Sequence, residues 1–116
     1  MKRFFLISVL ISSLYAVSHL GAQTKYAGGD ISMLPSYEAK SVRYFNSDGT
    51  RITDLVEFFA QDAGFNIARV RLFVNPENNN YVGVVQDLDY ILPLCKRIKA
   101  AGMKLMLDFH YSDTWA

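Results

Sequence analysis

A regular alternation of strand-like and helix-like segments constrains the fold more than any other feature of the sequence. Apolar, β-branched stretches at residues 26–31, 66–74 and 103–109 predict strands, and periodic apolar patterns at residues 51–63 and 88–101 predict helices. Strands that alternate with helices over short connections run parallel and are joined by right-handed crossovers. The sequence therefore predicts an α/β protein with the order β-α-β-α-β.

Both helices are predicted from apolar residues that recur on one face. These residues are Ile52, Leu55, Val56, Phe59, Ala60 and Ala63 in the first helix, and Leu88, Ile91, Leu92, Cys95 and Ile98 in the second. Gly64 and Gly102 follow the helices, where glycine commonly ends a helix. Pro93 fits the second helix if it lies in the first turn or if the helix kinks there.

Glycine, proline and other turn formers mark two further features of the sequence. Residues 34–49 contain Pro35, Asn46 and the pair Asp48-Gly49, and they are predicted to form a loop. In the first strand, Gly28-Gly29 is expected to let neighbouring backbone approach closely.

The N-terminus has the pattern of a secretory signal peptide. Lys2 and Arg3 precede an apolar run over residues 4–17, and small residues follow at Gly21-Ala22. Residues 1–22 are therefore expected to be removed, which leaves a secreted domain over residues 23–116 with no membrane segment. An uncleaved anchor or a buried core helix is the alternative interpretation.

Composition excludes several classes of function. The formal net charge is +1 and there is no basic block, so a nucleic-acid partner is not expected. Cys95 is the single cysteine, so no intramolecular disulfide can form. His19 falls in the predicted signal peptide and His110 stands alone, so no metal site is predicted. No glycine-rich phosphate loop is present, and no cofactor is expected.

Polar residues follow all three predicted strands, where parallel α/β proteins carry their functional sites. The first group is Asp30 with Ser32, the second covers residues 71–75, and the third covers residues 108–115. The strands themselves are apolar, so three polar endings indicate a common site at one edge of the sheet.

The period of two along a strand sharpens the second and third groups. Arg69, Arg71 and Phe73 share one face of their strand, and Asp108 and His110 share one face of theirs. Arginines that point into a packed interior require carboxylates or a ligand, and the alternative is a surface edge strand with solvated arginines. A histidine beside a carboxylate can hold substrate hydroxyls, although a purely structural histidine is the alternative. Trp115 either stacks on a sugar ring or covers the core.

Three short motifs carry a resemblance to a known family. Gly28-Gly29-Asp30-Ile31-Ser32 followed by Glu38, the stretch Arg69-Val70-Arg71-Leu72-Phe73-Val74-Asn75-Pro76, and the stretch His110-Tyr111-Ser112-Asp113-Thr114-Trp115-Ala116 occur in that order. They resemble the first three strand motifs of the arabinogalactan endo-β-1,4-galactanases, glycoside hydrolase family 53. The family commonly has tryptophan where this chain has Phe73.

The resemblance implies that the chain is an N-terminal fragment that forms three βα units of an incomplete (β/α)8 TIM barrel. It implies hydrolysis of galactan or arabinogalactan with retention of configuration, by two glutamates on the fourth and seventh strands. No catalytic residue is therefore expected in this chain, and the fragment alone is expected to be inactive. The residues expected to bind substrate or support the site are Asp30, Ser32, Arg69, Arg71, Asn75, Asp108, His110, Asp113 and Trp115.

Two alternatives from other classes stay open. One is a small secreted carbohydrate-binding protein without catalysis, which would use Trp115, Phe73 and tyrosines. The other is a doubly wound α/β enzyme of unrelated chemistry. The sequence makes no prediction of the oligomeric state.

Overall fold

The predicted β-α-β-α-β order is confirmed, with additional short elements between the first strand and the first long helix. The computed structural model describes residues 24–76 and 83–111. The elements, in chain order, are β1 (Gly28–Asp30), α1 (Leu34–Ala39), β2 (Tyr44–Phe45), β3 (Arg51–Ile52), α2 (Leu55–Gln61), β4 (Ile67–Leu72), α3 (Leu88–Ala100) and β5 (Lys104–Phe109). The predicted signal peptide, residues 1–22, lies outside the described residues. Among the described residues, no helix is long and apolar enough to cross a membrane.

Strands β1, β4 and β5 form one parallel sheet, in which β4 lies between β1 and β5. The register places Asp30 of β1 level with Arg69 of β4, and Arg71 of β4 level with Asp108 of β5. Because all three strands run in the same direction, their carboxyl ends lie at one edge of the sheet. This register brings the three predicted polar groups together.

The prediction of a loop over residues 34–49 is wrong. Residues 34–39 form α1, whose Pro35 lies in the first turn, where a helical residue needs no N–H donor. Tyr44–Phe45 pairs antiparallel with Arg51–Ile52, and Gly49, at φ +85°, lies in the turn between them. The predicted helix over residues 51–63 is correspondingly shorter, because its first residues form β3 and Asp54 caps α2.

The core lies between the sheet and the helices α2 and α3. Ala68 and Val70, which alternate with the arginines on β4, are fully buried on the helix side. They belong to one apolar cluster with buried side chains from the three helices and from the residues next to β1 and β5: Ile31, Leu34, Val56, Ile91, Leu94, Ile98 and Met103. One face of β4 is therefore apolar and packed, and the other carries its two arginines.

The predicted inward face of α3 is partly wrong. Leu88 and Leu92 are exposed, whereas Leu94 is buried together with Ile91 and Ile98. Cys95 is half-buried against the core, and burial raises the pKa of its thiol. Pro93 lies inside the helix, five residues after its first residue Leu88, so the proline is beyond the first turn.

Candidate active-site face at the strand ends

Arg69 is the centre of a charged cluster that joins the three strands. One of its terminal nitrogens donates a hydrogen bond to Oδ2 of Asp30, and the other donates to Oδ2 of Asp108. Asp30 lies on β1 and Asp108 on β5, so one guanidinium on the central strand binds a carboxylate from each neighbour. Charge-assisted hydrogen bonds of this kind are stronger than neutral ones and fix the geometry of the planar guanidinium.

Asp30 is held as a carboxylate by several donors. The backbone N–H of Ser32 donates to Asp30 Oδ1 at 2.9 Å, and Arg71 Nε lies 3.6 Å from Asp30 Oδ2. Burial alone would raise the pKa of Asp30, but the hydrogen bonds from Ser32 and the positive charges of Arg71 and Arg69 outweigh it, so the pKa lies below its usual value. An ionised, fully engaged Asp30 is suited to positioning and is a poor general acid.

Ser32 supports the strand ends from within the core. It is fully buried, and its Oγ accepts a hydrogen bond from the backbone N–H of Arg71 at 2.9 Å. Ser32 therefore joins the end of β1 to β4. Because it is buried, it supports the site rather than contacting a ligand.

Arg71 differs from Arg69 in how much of its hydrogen-bonding capacity is used. Its Nε is enclosed and lacks a hydrogen-bond partner within the described part of the chain, since 3.6 Å to Asp30 is too long for one. Its guanidinium carbon lies 5.7 Å from the centre of the Phe73 ring. The described residues therefore hold the Arg71 guanidinium less directly than that of Arg69.

His110 completes the cluster at the end of β5. Its backbone N–H donates to the carbonyl of Leu72 at 2.8 Å, which continues the pairing of β4 with β5. Its Nδ1 lies 3.4 Å from Asp108 Oδ2, and its ring packs edge-on against Phe73 with centroids 4.9 Å apart. Asp108 thus contacts both Arg69 and His110.

Five of the predicted site residues meet at this edge of the sheet, with Ser32 beneath them. The five are Asp30, Arg69, Arg71, Asp108 and His110, and their side chains are between 23% and 38% exposed. The alternative of solvated arginines on an edge strand is wrong, because β4 is the central strand and both arginines contact carboxylates. Partial exposure leaves the cluster accessible to a ligand from above the sheet.

The remaining predicted residues are not part of the cluster. Asn75 is exposed at φ +52°, a left-handed conformation that asparagine tolerates, and no hydrogen bond among the described residues joins it to the cluster. Asp113 and Trp115 lie outside the described residues. The described chain also contains no group of His, Cys, Asp and Glu side chains that could hold a metal ion.

Two further residues of this region were not among the predicted site residues. Phe73 is 2% exposed and lies between Arg71 and His110. The strand alternation places Phe73 on the same face as the arginines without assigning it to the site. Gln86 is fully buried, and its carbonyl accepts a hydrogen bond from the Phe73 N–H at 2.8 Å. No periodicity marks Gln86, since it lies in the loop before α3.

Comparisons with known proteins agree with this arrangement. The profile of Glycosyl hydrolase family 53 matches residues 26–116. A probable arabinogalactan endo-beta-1,4-galactanase A of Aspergillus terreus is 44% identical over 93% of this chain, and the arabinogalactan endo-beta-1,4-galactanase of Humicola insolens is 41% identical over 79% of it. Among solved structures, the GH53 catalytic domain of Ignisphaera aggregans superimposes with a TM-score of 0.67 and 30% identity over 84% of this chain.

The matches extend over only part of each relative. The chain spans 29% of the Aspergillus terreus protein and 28% of the Ignisphaera aggregans domain. Within that span the parallel strands and helices correspond to βα units of the family's TIM barrel, so the predicted fold class is confirmed. With most of its length matched by the family profile and by relatives above 40% identity, the chain belongs to glycosyl hydrolase family 53.

Proposed function

We propose that this chain forms the first three βα units of a secreted endo-β-1,4-galactanase that hydrolyses galactan or arabinogalactan with retention of configuration. The observation that carries the proposal is the ionic cluster of Asp30, Arg69 and Asp108 at the carboxyl ends of three adjacent parallel strands. Active sites of (β/α)8 barrels lie at this end of the strands. The relatives are arabinogalactan endo-β-1,4-galactanases, and we take the proposed reaction and substrate from them.

The described cluster supplies binding and positioning, and proton transfer belongs to groups elsewhere. Asp30 and Asp108 are both bound to Arg69, and the pKa of Asp30 lies below its usual value because hydrogen bonds and nearby arginines outweigh its burial. A retaining glycosidase needs one carboxylic acid that stays protonated and one carboxylate that attacks carbon. We therefore expect both catalytic glutamates on later strands and no activity from residues 1–116 alone.

Arg71 is the residue that we assign to the catalytic carboxylates. Its side chain is 23% exposed at the face above the sheet, and an arginine fork matches a carboxylate. In the proposed enzyme, Arg71 orients a glutamate contributed by a later strand, while Arg69 holds the three strand ends together. Asp108 and His110 face the sugar hydroxyls.

The test uses the full product of the gene with β-1,4-galactan, and arabinan and xylan serve as controls. We expect galactan alone to be cleaved, and ¹H NMR of the first products to show the β-anomer. Arg71→Lys should lower kcat/KM by roughly 100-fold, the scale of misplacing a reacting group. Arg51→Lys, a change on the exposed strand β3, is the matched control and should leave activity unchanged. Cleavage of another polysaccharide in preference to galactan would contradict the proposal.

A further inference from the structure

Phe73 occupies a fixed and buried position among the polar groups of the candidate site. It directly follows the last residue of β4 and is 2% exposed. Its backbone N–H donates to the carbonyl of Gln86, itself fully buried, at 2.8 Å. The loop before α3 therefore holds the backbone of Phe73, and its ring is enclosed.

The ring contacts one polar side chain from each of two strand ends. The guanidinium carbon of Arg71 lies 5.7 Å from the ring centroid, and the imidazole centroid of His110 lies 4.9 Å away with the ring planes inclined by 62°. A cation near an aromatic face is attracted by the ring quadrupole, and edge-to-face packing of two rings is favourable. One ring thus contacts both side chains.

The other contacts of Arg71 do not define its direction. Its Nε is 3.6 Å from Asp30 Oδ2, beyond hydrogen-bond distance, and lacks a hydrogen-bond partner among the described residues. Arg69, in contrast, binds two carboxylates directly. The orientation of Arg71 therefore depends on packing against Phe73 far more than the orientation of Arg69 does.

We propose that Phe73 is a positioning residue whose ring sets the direction of the Arg71 guanidinium. Phe73 positions Arg71 in the protein without substrate, and the spectroscopic part of the test requires no cleavage of galactan. The expected effect on turnover rests on the galactanase function proposed above.

The test compares Phe73→Leu and Phe73→Trp with Phe59→Leu in the full product of the gene. Phe59 stacks on Phe65 with centroids 4.9 Å apart, so Phe59→Leu removes a ring pair of the same spacing in the helix layer. The ¹⁵N–¹H signal of Arg71 Nε, identified by its loss in Arg71→Lys, reports whether the guanidinium is fixed. We expect Phe73→Leu to move this signal to the position of a mobile arginine, and Phe73→Trp and Phe59→Leu to leave it dispersed.

In the activity assay, Phe73→Leu should lower kcat on galactan by roughly 10- to 100-fold with a smaller change in KM. Phe59→Leu should lower the melting temperature without lowering kcat. An unchanged Arg71 signal in Phe73→Leu, or equal losses of kcat in Phe73→Leu and Phe59→Leu, would overturn the proposal. If the unsubstituted protein does not cleave galactan, the proposed function fails while the Arg71 signal still decides whether Phe73 positions Arg71. If the larger indole prevents folding, the two leucine variants decide the question by themselves.

Discussion

At the scale of single residues, the two arginines of β4 make different contacts although they occupy equivalent positions in the strand pattern. Strand alternation predicts that both need carboxylates, and the structure confirms this for Arg69 and, more loosely, for Arg71. Periodicity identifies the shared face, but it does not say how far a long side chain reaches along it. Arg69 is level with Met106 in the register, yet it binds Asp108, two residues further along β5.

The first strand provides a sharp test at this scale, because Gly28 and Gly29 differ in the space around them. A Cβ at Gly28 would lie 1.7 Å from the carbonyl oxygen of Ile67, whereas one at Gly29 would meet only the Phe65 ring at 3.7 Å. We expect Gly28→Ala to lower the free energy of unfolding by roughly 2–4 kcal/mol, because β1 must move away from β4. Gly29→Ala should change it by less than about 0.5 kcal/mol.

Urea unfolding of the full gene product, followed by circular dichroism, measures both glycine variants under one set of conditions. Because β1 carries Asp30, a displaced β1 should also weaken the contact between Asp30 and Arg69. The Gly28→Ala variant should therefore have lower activity on galactan than the parent protein. Equal stability of the two alanine variants would show that β1 does not pack against β4 as closely as described.

At the scale of elements, segments with a clear apolar pattern could be predicted from the sequence, and the elements of residues 34–52 could not. The elements β4, α3 and β5 were each predicted within about two residues of their observed ends, whereas the six residues of α1 were predicted as a loop. The two-residue strands of the hairpin give no measurable periodicity, and their pairing depends on the turn at Gly49. The helix face of α3 was misjudged because the stripe of apolar residues is wide, and the packing against β4 selects Leu94 over Leu92.

Outside the candidate site, Arg97 of α3 makes ionic contacts with α1 and with the beginning of α2. It binds both carboxylate oxygens of Glu38 on α1, at 2.7 and 2.9 Å, and Oδ1 of Asp54, the N-cap of α2, at 3.0 Å. Burial alone would raise the pKa of Asp54, but hydrogen bonds from the Glu57 N–H and from Arg97 outweigh it, so this pKa lies below its usual value of 3.8. The contacts therefore tie helix α3 to the beginning of α2.

This lowered pKa predicts how stability depends on pH. Because the folded protein holds the Asp54 proton less tightly than the unfolded chain, the stabilisation is fully present above the usual pKa. It is lost as the pH falls from that value through the lower pKa of folded Asp54. Asp54→Asn should keep the helix cap and lower the free energy of unfolding at neutral pH by about 0.5 kcal/mol, since the pair is partly exposed. Between about pH 5 and pH 3 the variant should lose less stability than the parent protein.

Chemical unfolding at a series of pH values checks the Asp54 prediction. Asp62→Asn, a change at the other end of α2, is the matched control and should leave the slope of stability against pH near that of the parent. An Asp54→Asn protein with the parent's slope would mean that Arg97 does not hold Asp54 as a carboxylate.

At the scale of the whole molecule, the described sheet is covered unevenly. The helices α2 and α3 bury the side of β4 that carries Ala68 and Val70. On β5, however, Leu107 and Phe109 are 36% and 60% exposed. Within the described residues, β5 pairs with β4 alone and its other edge is open. An open edge strand with exposed apolar side chains is a site of self-association.

We therefore predict that residues 23–116, expressed alone, self-associate through β5. Replacing both Leu107 and Phe109 by lysine should shift the protein toward monomer, because charge on an edge strand opposes pairing with another chain. Leu88→Lys with Leu92→Lys is the matched control, since those residues are 60% and 43% exposed but lie on α3. Sedimentation velocity over a range of concentrations measures the effect, and the control pair should leave the association unchanged. A monomer with a sharp thermal transition, without substitutions on β5, would instead mean that three strands and their helices make a self-sufficient core, as the carbohydrate-binding alternative requires.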